Sequence, residues 1–185
     1  MKVLKNILYR VTLETVVGDT GININAIQFD SRKIESKDVF VAIRGHVVDG
    51  HDYIESALNN GASAIIVEEL PNHFRENVTY LQVSDSSIAL AIMASNFYET
   101  PSENLKLIGV TGTNGKTTIA SLLYELFKKA GYKVGLISTV KIIVNDTVYD
   151  STHTTPDSLT INQFLHEMNT EGVEFCFMEV SSHGI

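Results

Sequence analysis

The sequence predicts an α/β chain in two parts, and three observations carry that reading. Short strand-like runs alternate with helical ones through the first hundred residues. Near residue 110 a buried strand turns through a glycine-rich loop into an amphipathic helix. The apolar run VEFCFMEVS (173–181) is almost unbroken, as in a strand buried on both faces.

In chain order, DVFVAIRG (38–45) reads as a strand, DYIESALNNG (52–61) as a short helix stopped by Gly61, and ASAIIVEE (62–69) and VTYLQVSD (78–85) as strands. SIALAIMASNFY (87–98) reads as a helix capped by Ser86 or Ser87. The polar stretch 99–104 holds one of only three prolines and separates two α/β patterns, so the boundary falls there, between domains 1–100 and 101–185.

The second domain opens with the strand LKLIGV (105–110) and a helix beginning near Lys116. On that helix Ile119, Ala120, Leu122, Leu123, Leu126, Phe127 and Ala130 recur at spacings of three and four, predicting one buried face. Lys128 and Lys129 suit its last turn and Gly131 its end. KVGLIST (133–139) is a strand, and KIIVNDTVYD (141–150) a hairpin turning at Asn145-Asp146. A helix over 158–169 leads through Gly172 to the final strand. A sheet whose last strand has no covering helix reads as unfinished, so the chain is expected to be a fragment, inactive by itself.

With 14 basic against 22 acidic residues and a net charge of -8, a nucleic-acid partner is not expected. No apolar run approaches the length of a bilayer span, and the amino terminus breaks its apolar stretch at Arg10 and Glu14. Neither a membrane nor a signal peptide is expected. Cys176, within the last apolar run, suits a buried small hydrophobe better than a reactive thiol or metal ligand. The histidines show no zinc-ligand spacing.

Chemistry concentrates in Gly112-Thr113-Asn114-Gly115-Lys116-Thr117-Thr118, between a strand and a helix. Glycines let the backbone curl so that N–H groups point at a polyphosphate, and the helix amino terminus adds positive charge. Lys116 then reaches the outer phosphates and the Thr117 hydroxyl can ligate Mg²⁺. The strict phosphate-loop pattern is not met, since Val110 stands in place of the first glycine. Glu179, near the carboxyl end of the last strand, is costly to bury unless paired or metal-bound; Mg²⁺ is the favoured partner, a structural ion pair the other. His183 suits a ligand, a substrate contact or a cap equally.

TGTNGKTT (111–118), followed by His153-Thr154-Thr155-Pro156-Asp157 and by Met178-Glu-Val-Ser-Ser-His183, resembles the central ATPase domain of the Mur ligases of the MurE type. Asp30-Ser31-Arg32, Asp38-Val-Phe-Val-Ala, Gly45-His46 and Asp49-Gly50-His51 resemble the UDP-binding domain that MurE shares with MurF. The resemblance spans essentially the whole chain. It implies a small UDP-binding α/β domain followed by the first part of a parallel, P-loop-type ATPase domain. It also implies a cytoplasmic, monomeric, ATP- and Mg²⁺-dependent ligase in peptidoglycan synthesis. Such a ligase adds a free amino acid, meso-diaminopimelate before L-lysine, to UDP-N-acetylmuramoyl-L-Ala-D-Glu through an acyl phosphate. By the same resemblance, Phe29, Ser31, His46, Val47 and Val48 line the uridine site and residues 112–118 hold ATP. Lys116 and Glu179 are then catalytic, Thr117 and Glu179 hold the metal, and His153, Thr154, Thr155 and Ser181 contact the muramoyl-peptide. A carbamylated lysine and an amino-acid-selecting domain would lie beyond Ile185. The alternatives are a MurF-type or other Mur-like ligase and a non-catalytic UDP-sugar or nucleotide-binding module. A regulatory GTPase is disfavoured, because neither N-K-x-D nor D-x-x-G follows Lys116.

Overall fold

Strands of β-branched and aromatic residues, each followed by a turn or helix, give the first unit (Met1–Phe97) a mostly parallel sheet. The computed structural model describes residues 1–45, 47–150 and 156–181. In chain order the unit contains β1 (Lys2–Val3), α1 (Leu4–Ile7), β2 (Thr15–Val17), β3 (Asn23–Ile24), β4 (Ile27–Gln28) and β5 (Val39–Val41). It continues through α2 (Ile54–Asn59), β6 (Ala64–Val67), β7 (Thr79–Gln82) and α3 (Ser86–Phe97). The sheet order is β2-β7-β6-β5-β4, with β7 to β4 parallel and β2 antiparallel at one edge; β1 and β3 form a separate antiparallel pair. Every residue of β6 is buried, as its central place requires. Phe40, Ile65, Val67 and Tyr80 from the sheet share a core with Ile54, Ala57 and Leu58 of α2.

The cap of α3 is Asp85, not Ser86 or Ser87. Its carboxylate accepts the Ile88 N–H at 2.8 Å, three residues on. Ser86 is buried, with its amide and hydroxyl both donating to Glu68 Oε1, at 3.0 and 2.8 Å, so its hydroxyl is already engaged.

The second unit (Tyr98–Ile185) begins with a 3-10 turn, Pro101–Glu103. It then contains β8 (Lys106–Val110), α4 (Lys116–Lys129), β9 (Val134–Ile137), β10 (Lys141–Val144), β11 (Thr147–Asp150), α5 (Ser158–Thr170) and β12 (Phe175–Glu179). The sheet order is β11-β10-β9-β12-β8. β9, β12 and β8 are parallel, and the β10–β11 hairpin adds antiparallel strands beyond β9, turning at Asn145-Asp146 as expected. The last strand in sequence is thus inserted between the first two. Its register sets Glu179 opposite Val110, the final residue of β8.

α4 has two apolar stripes rather than one buried face. Ala120 and Tyr124, with the partly buried Leu123 and Phe127, pack on Val134, Leu136 and Phe177 of the sheet. Ile119, Leu122 and Leu126 remain 49%, 63% and 61% exposed. At 100° per residue they lie beside the packed stripe, not on it. α5 lies directly on β9: a Cβ added at Gly135 would stand 2.4 Å from Met168 Sδ. Cys176 is buried and its thiol is pushed up to about 12 by loss of solvent. Among the described residues no helix is long and apolar enough to cross a membrane.

Candidate functional site

The glycine loop lies between the carboxyl end of β8 and the start of α4, at the edge where open α/β sheets take ligands. Gly112 (φ 148°) and Gly115 (φ 77°) adopt backbone conformations that side chains resist, and a Cβ at Gly115 would meet nothing within 4 Å. Gly115 also stands at the helix N-cap, and no side chain bonds there. The first amides of α4 thus lack both intrahelical acceptors and a side-chain cap. Thr113, Asn114 and Thr118 are exposed, while Lys116 and Thr117 are half-buried. Lys116 Nζ donates to Gly112 O at 2.7 Å across the mouth of the loop.

Sheet register brings Glu179 to this loop from a position 62 residues on. The residue is 6% exposed, and Thr117 Oγ1 donates to its Oε2 at 3.0 Å. The same oxygen accepts the amide and the hydroxyl of Thr139, both at 3.2 Å. Thr139 was not anticipated. It sits in the turn after β9, which Ser138 closes: its amide and hydroxyl donate to Lys141 O at 3.0 and 2.8 Å, and its Oγ accepts the Lys141 amide at 3.2 Å. Among the described residues the buried carboxylate is met by neutral donors and by no ion pair. Ser181 lies two residues further along, half-buried. His153, Thr154, Thr155 and His183 fall outside the described residues.

The first unit holds a pocket of about 590 Å³. Of the residues assigned to the uridine site, Phe29, Ser31 and Val48 line this pocket, whereas Val47 does not and is 95% exposed; His46 falls outside the described residues. Asp30, Arg32, Phe40 and Tyr53 complete the lining together with Ile43, Gly45 and Gly50, which with Val48 we call the lip. Asp30 caps the 3-10 turn Ser31–Lys33 by accepting the Arg32 amide at 3.1 Å. The Arg32 guanidinium bonds both of its oxygens, at 2.9 and 2.8 Å, and holds the Asp30 carboxyl at about 2. Ser31 is buried and its carbonyl accepts Asn60 Nδ2 at 2.8 Å. Gly50 is required by space, since a Cβ there would stand 2.6 Å from the Ile43 amide nitrogen.

Two family models match: the Mur ligase family catalytic domain over residues 23–98 and the Mur ligase middle domain over residues 110–185. Between them they take in most of the chain. The chain belongs to the Mur ligase family. Among curated Mur ligases it is 51% identical over 181 residues to the UDP-N-acetylmuramoyl-L-alanyl-D-glutamate--2,6-diaminopimelate ligase of Cytophaga hutchinsonii. It is 50% identical over 182 residues to the protein of the same name from Bacteroides fragilis. These alignments cover 97% and 98% of the chain but only 37% and 38% of the relatives. A solved diaminopimelate ligase superposes with a TM-score of 0.76 at 25% identity, over 99% of this chain and 36% of that one. The Mur ligase MurF from Thermotoga maritima, solved in complex with ADP, superposes at 0.56 with 29% identity, over 85% of this chain and 32% of that one.

Proposed function

We propose that this chain carries the uridine-nucleotide and ATP sites of a cytoplasmic, monomeric ligase that joins meso-diaminopimelate to UDP-N-acetylmuramoyl-L-alanyl-D-glutamate. The relatives' names support that substrate pair. The observation that carries the ATP site is the Thr117–Glu179 bond at 3.0 Å, a hydroxyl and a carboxylate meeting at the foot of a glycine loop. Mg²⁺ takes hard oxygen ligands and keeps several waters, so this hydroxyl and carboxylate fit it, while the uncapped helix start beside them fits the phosphates.

ATP would supply the phosphoryl group that turns the D-glutamate carboxylate into an acyl phosphate, leaving ADP, and the incoming amine would then displace inorganic phosphate from the acyl carbon. The chain's own part is to hold and neutralise. Residues 112–118 offer loop and helix-end amides to the phosphates. Lys116, released from Gly112 O, brings its ammonium to the outer phosphates, where charge moves during transfer. Thr117 and Glu179 hold the metal. Phe29, Ser31 and Val48 take the uridine end in the first unit's pocket, and His153, Thr154, Thr155 and Ser181 contact the muramoyl-peptide.

A charge-assisted hydrogen bond contributes about 1.5–3 kcal/mol, so Lys116→Ala should weaken ATP binding about 10- to 100-fold by calorimetry. Unchanged affinity in a folded variant removes the phosphate-loop assignment. For the reaction, the intact protein with ATP, Mg²⁺, precursor and diaminopimelate should accumulate the UDP-muramoyl-tripeptide by mass spectrometry. Extension of the tripeptide instead would move the chain to the MurF reading.

A further inference from the structure

Behind the lip of the first unit's pocket stands a side chain that does not line the pocket. His51 is 13% exposed at its side chain and is bonded through both ring nitrogens. Its Nε2 lies 2.9 Å from the Glu68 amide nitrogen, whose N–H points at it. A backbone amide only donates, so Nε2 accepts and carries no proton. The ring proton is therefore on Nδ1, which donates to Asp49 Oδ1 at 2.6 Å. Peptide planarity fixes the direction of that amide N–H, so the tautomer follows from the backbone.

Asp49 ties this ring to the lip. Besides the imidazole it accepts the His51 amide at 2.9 Å and Arg44 Nε at 3.2 Å. Arg44 and Asp49 face each other as an isolated antiparallel bridge, Gly45 N–H donates to Val48 O at 3.0 Å, and Gly50 N–H donates to Ile43 O at 2.8 Å. Ile43, Gly45, Val48 and Gly50 thus ride on one small frame. Glu68 belongs to a different one. It directly follows β6, and its carboxylate is anchored by the amide and hydroxyl of Ser86 at the start of α3.

We propose that neutral His51, protonated at Nδ1, is a positioning residue for the uridine nucleotide, a strut from the Glu68 amide to Asp49 that sets how far the lip stands from Phe29, Ser31 and Arg32. The proposal rests on the uridine-nucleotide reading of this pocket. Without the strut, the lip keeps its internal bonds and the half-exposed Arg44 pairs to Glu68 Oε2 at 3.8 Å and Glu69 Oε1 at 3.1 Å, but loses its bond to the backbone at the end of β6. The glutamine side chain restores half of the strut, because its carbonyl oxygen can take the Nε2 position and accept from Glu68.

Imidazole ¹⁵N shifts of the intact protein read the tautomer directly: a protonated Nδ1 and a bare Nε2 are expected at neutral pH, and a protonated Nε2 overturns the strut. In calorimetry with UDP, His51→Ala should bind about tenfold more weakly, the equivalent of one hydrogen bond. Hydrogen exchange at the Glu68 amide should accelerate with it. His51→Gln should recover most of the affinity and the Glu68 protection. A folded His51→Ala variant that binds UDP as the unaltered protein does overturns the proposal. If the unaltered protein binds no UDP, the uridine reading fails instead, and the imidazole shifts still decide whether the strut exists.

Discussion

Three hydrogen bonds converge on one oxygen of Glu179, and only one donor, Thr117, belongs to a motif that local sequence announces. The other two come from Thr139, whose place depends on β12 lying next to β9. Thr139→Val removes the hydroxyl donor while keeping the shape and the amide. It should weaken ATP binding about three- to tenfold, one modest hydrogen bond, in the presence of Mg²⁺ and much less in its absence. Thr139→Ser should restore it. Equal affinities for the valine and serine variants would mean that the hydroxyl does not hold the carboxylate for the metal. The same division runs through the pocket of the first unit. Ser31, Gly45 and Gly50 lie in quotable motifs and Phe29 adjoins one, whereas Ile43 and Tyr53 reach the pocket only through the fold. Residues announced by a local motif or by a charge set in an apolar strand, as Thr117 and Glu179 are, were legible in the sequence; Thr139 and Tyr53, which only the fold brings in, were not.

At the scale of elements, periodicity located the strands and helices from β5 onward because each half-buried element must repeat with its own geometry, whereas β1 to β4, of two or three residues each, and the single turn α1 are too short to show a period. What it left open is which of several apolar stripes the fold covers. On α4 the seven apolar positions spread over an arc of about 160°, and the sheet takes only its edge through Ala120, continued by Tyr124. Caps were misjudged for a related reason: Asp85, Ser86 and Ser87 all suit an N-cap, and tertiary contact decides. Because Glu68 occupies Ser86, the cap falls to Asp85. Asp85→Ala should therefore lower stability by about 1 kcal/mol in urea unfolding, and Ser87→Ala by no more than a few tenths. A larger loss from Ser87→Ala than from Asp85→Ala would reverse the assignment.

At the scale of the whole molecule, the three sheets divide cleanly between the units. Among the described residues, every strand from β1 to β7 pairs within Met1–Phe97 and every strand from β8 to β12 within Tyr98–Ile185. A unit that closes its own backbone hydrogen bonds and buries its own core meets the physical conditions for folding alone. The first unit does both. Phe40, Ile65, Val67 and Tyr80 are covered by α2, the short β4 limits one sheet edge, and β2 turns antiparallel at the other. Its size, near 100 residues, is enough for a core to outweigh chain entropy without disulfides or metal. Residues 1–97 expressed by themselves should therefore unfold in one cooperative transition. Adding UDP should shift amide resonances of residues 29–32, 48–50 and 53, which surround the pocket, and raise the unfolding midpoint as binding to the folded state alone requires. Noncooperative unfolding would mean that the first unit needs the second to hold its core. Cooperative unfolding with UDP shifts clustered away from Phe29, Ser31 and Tyr53 would leave the fold standing and remove the pocket as the uridine site.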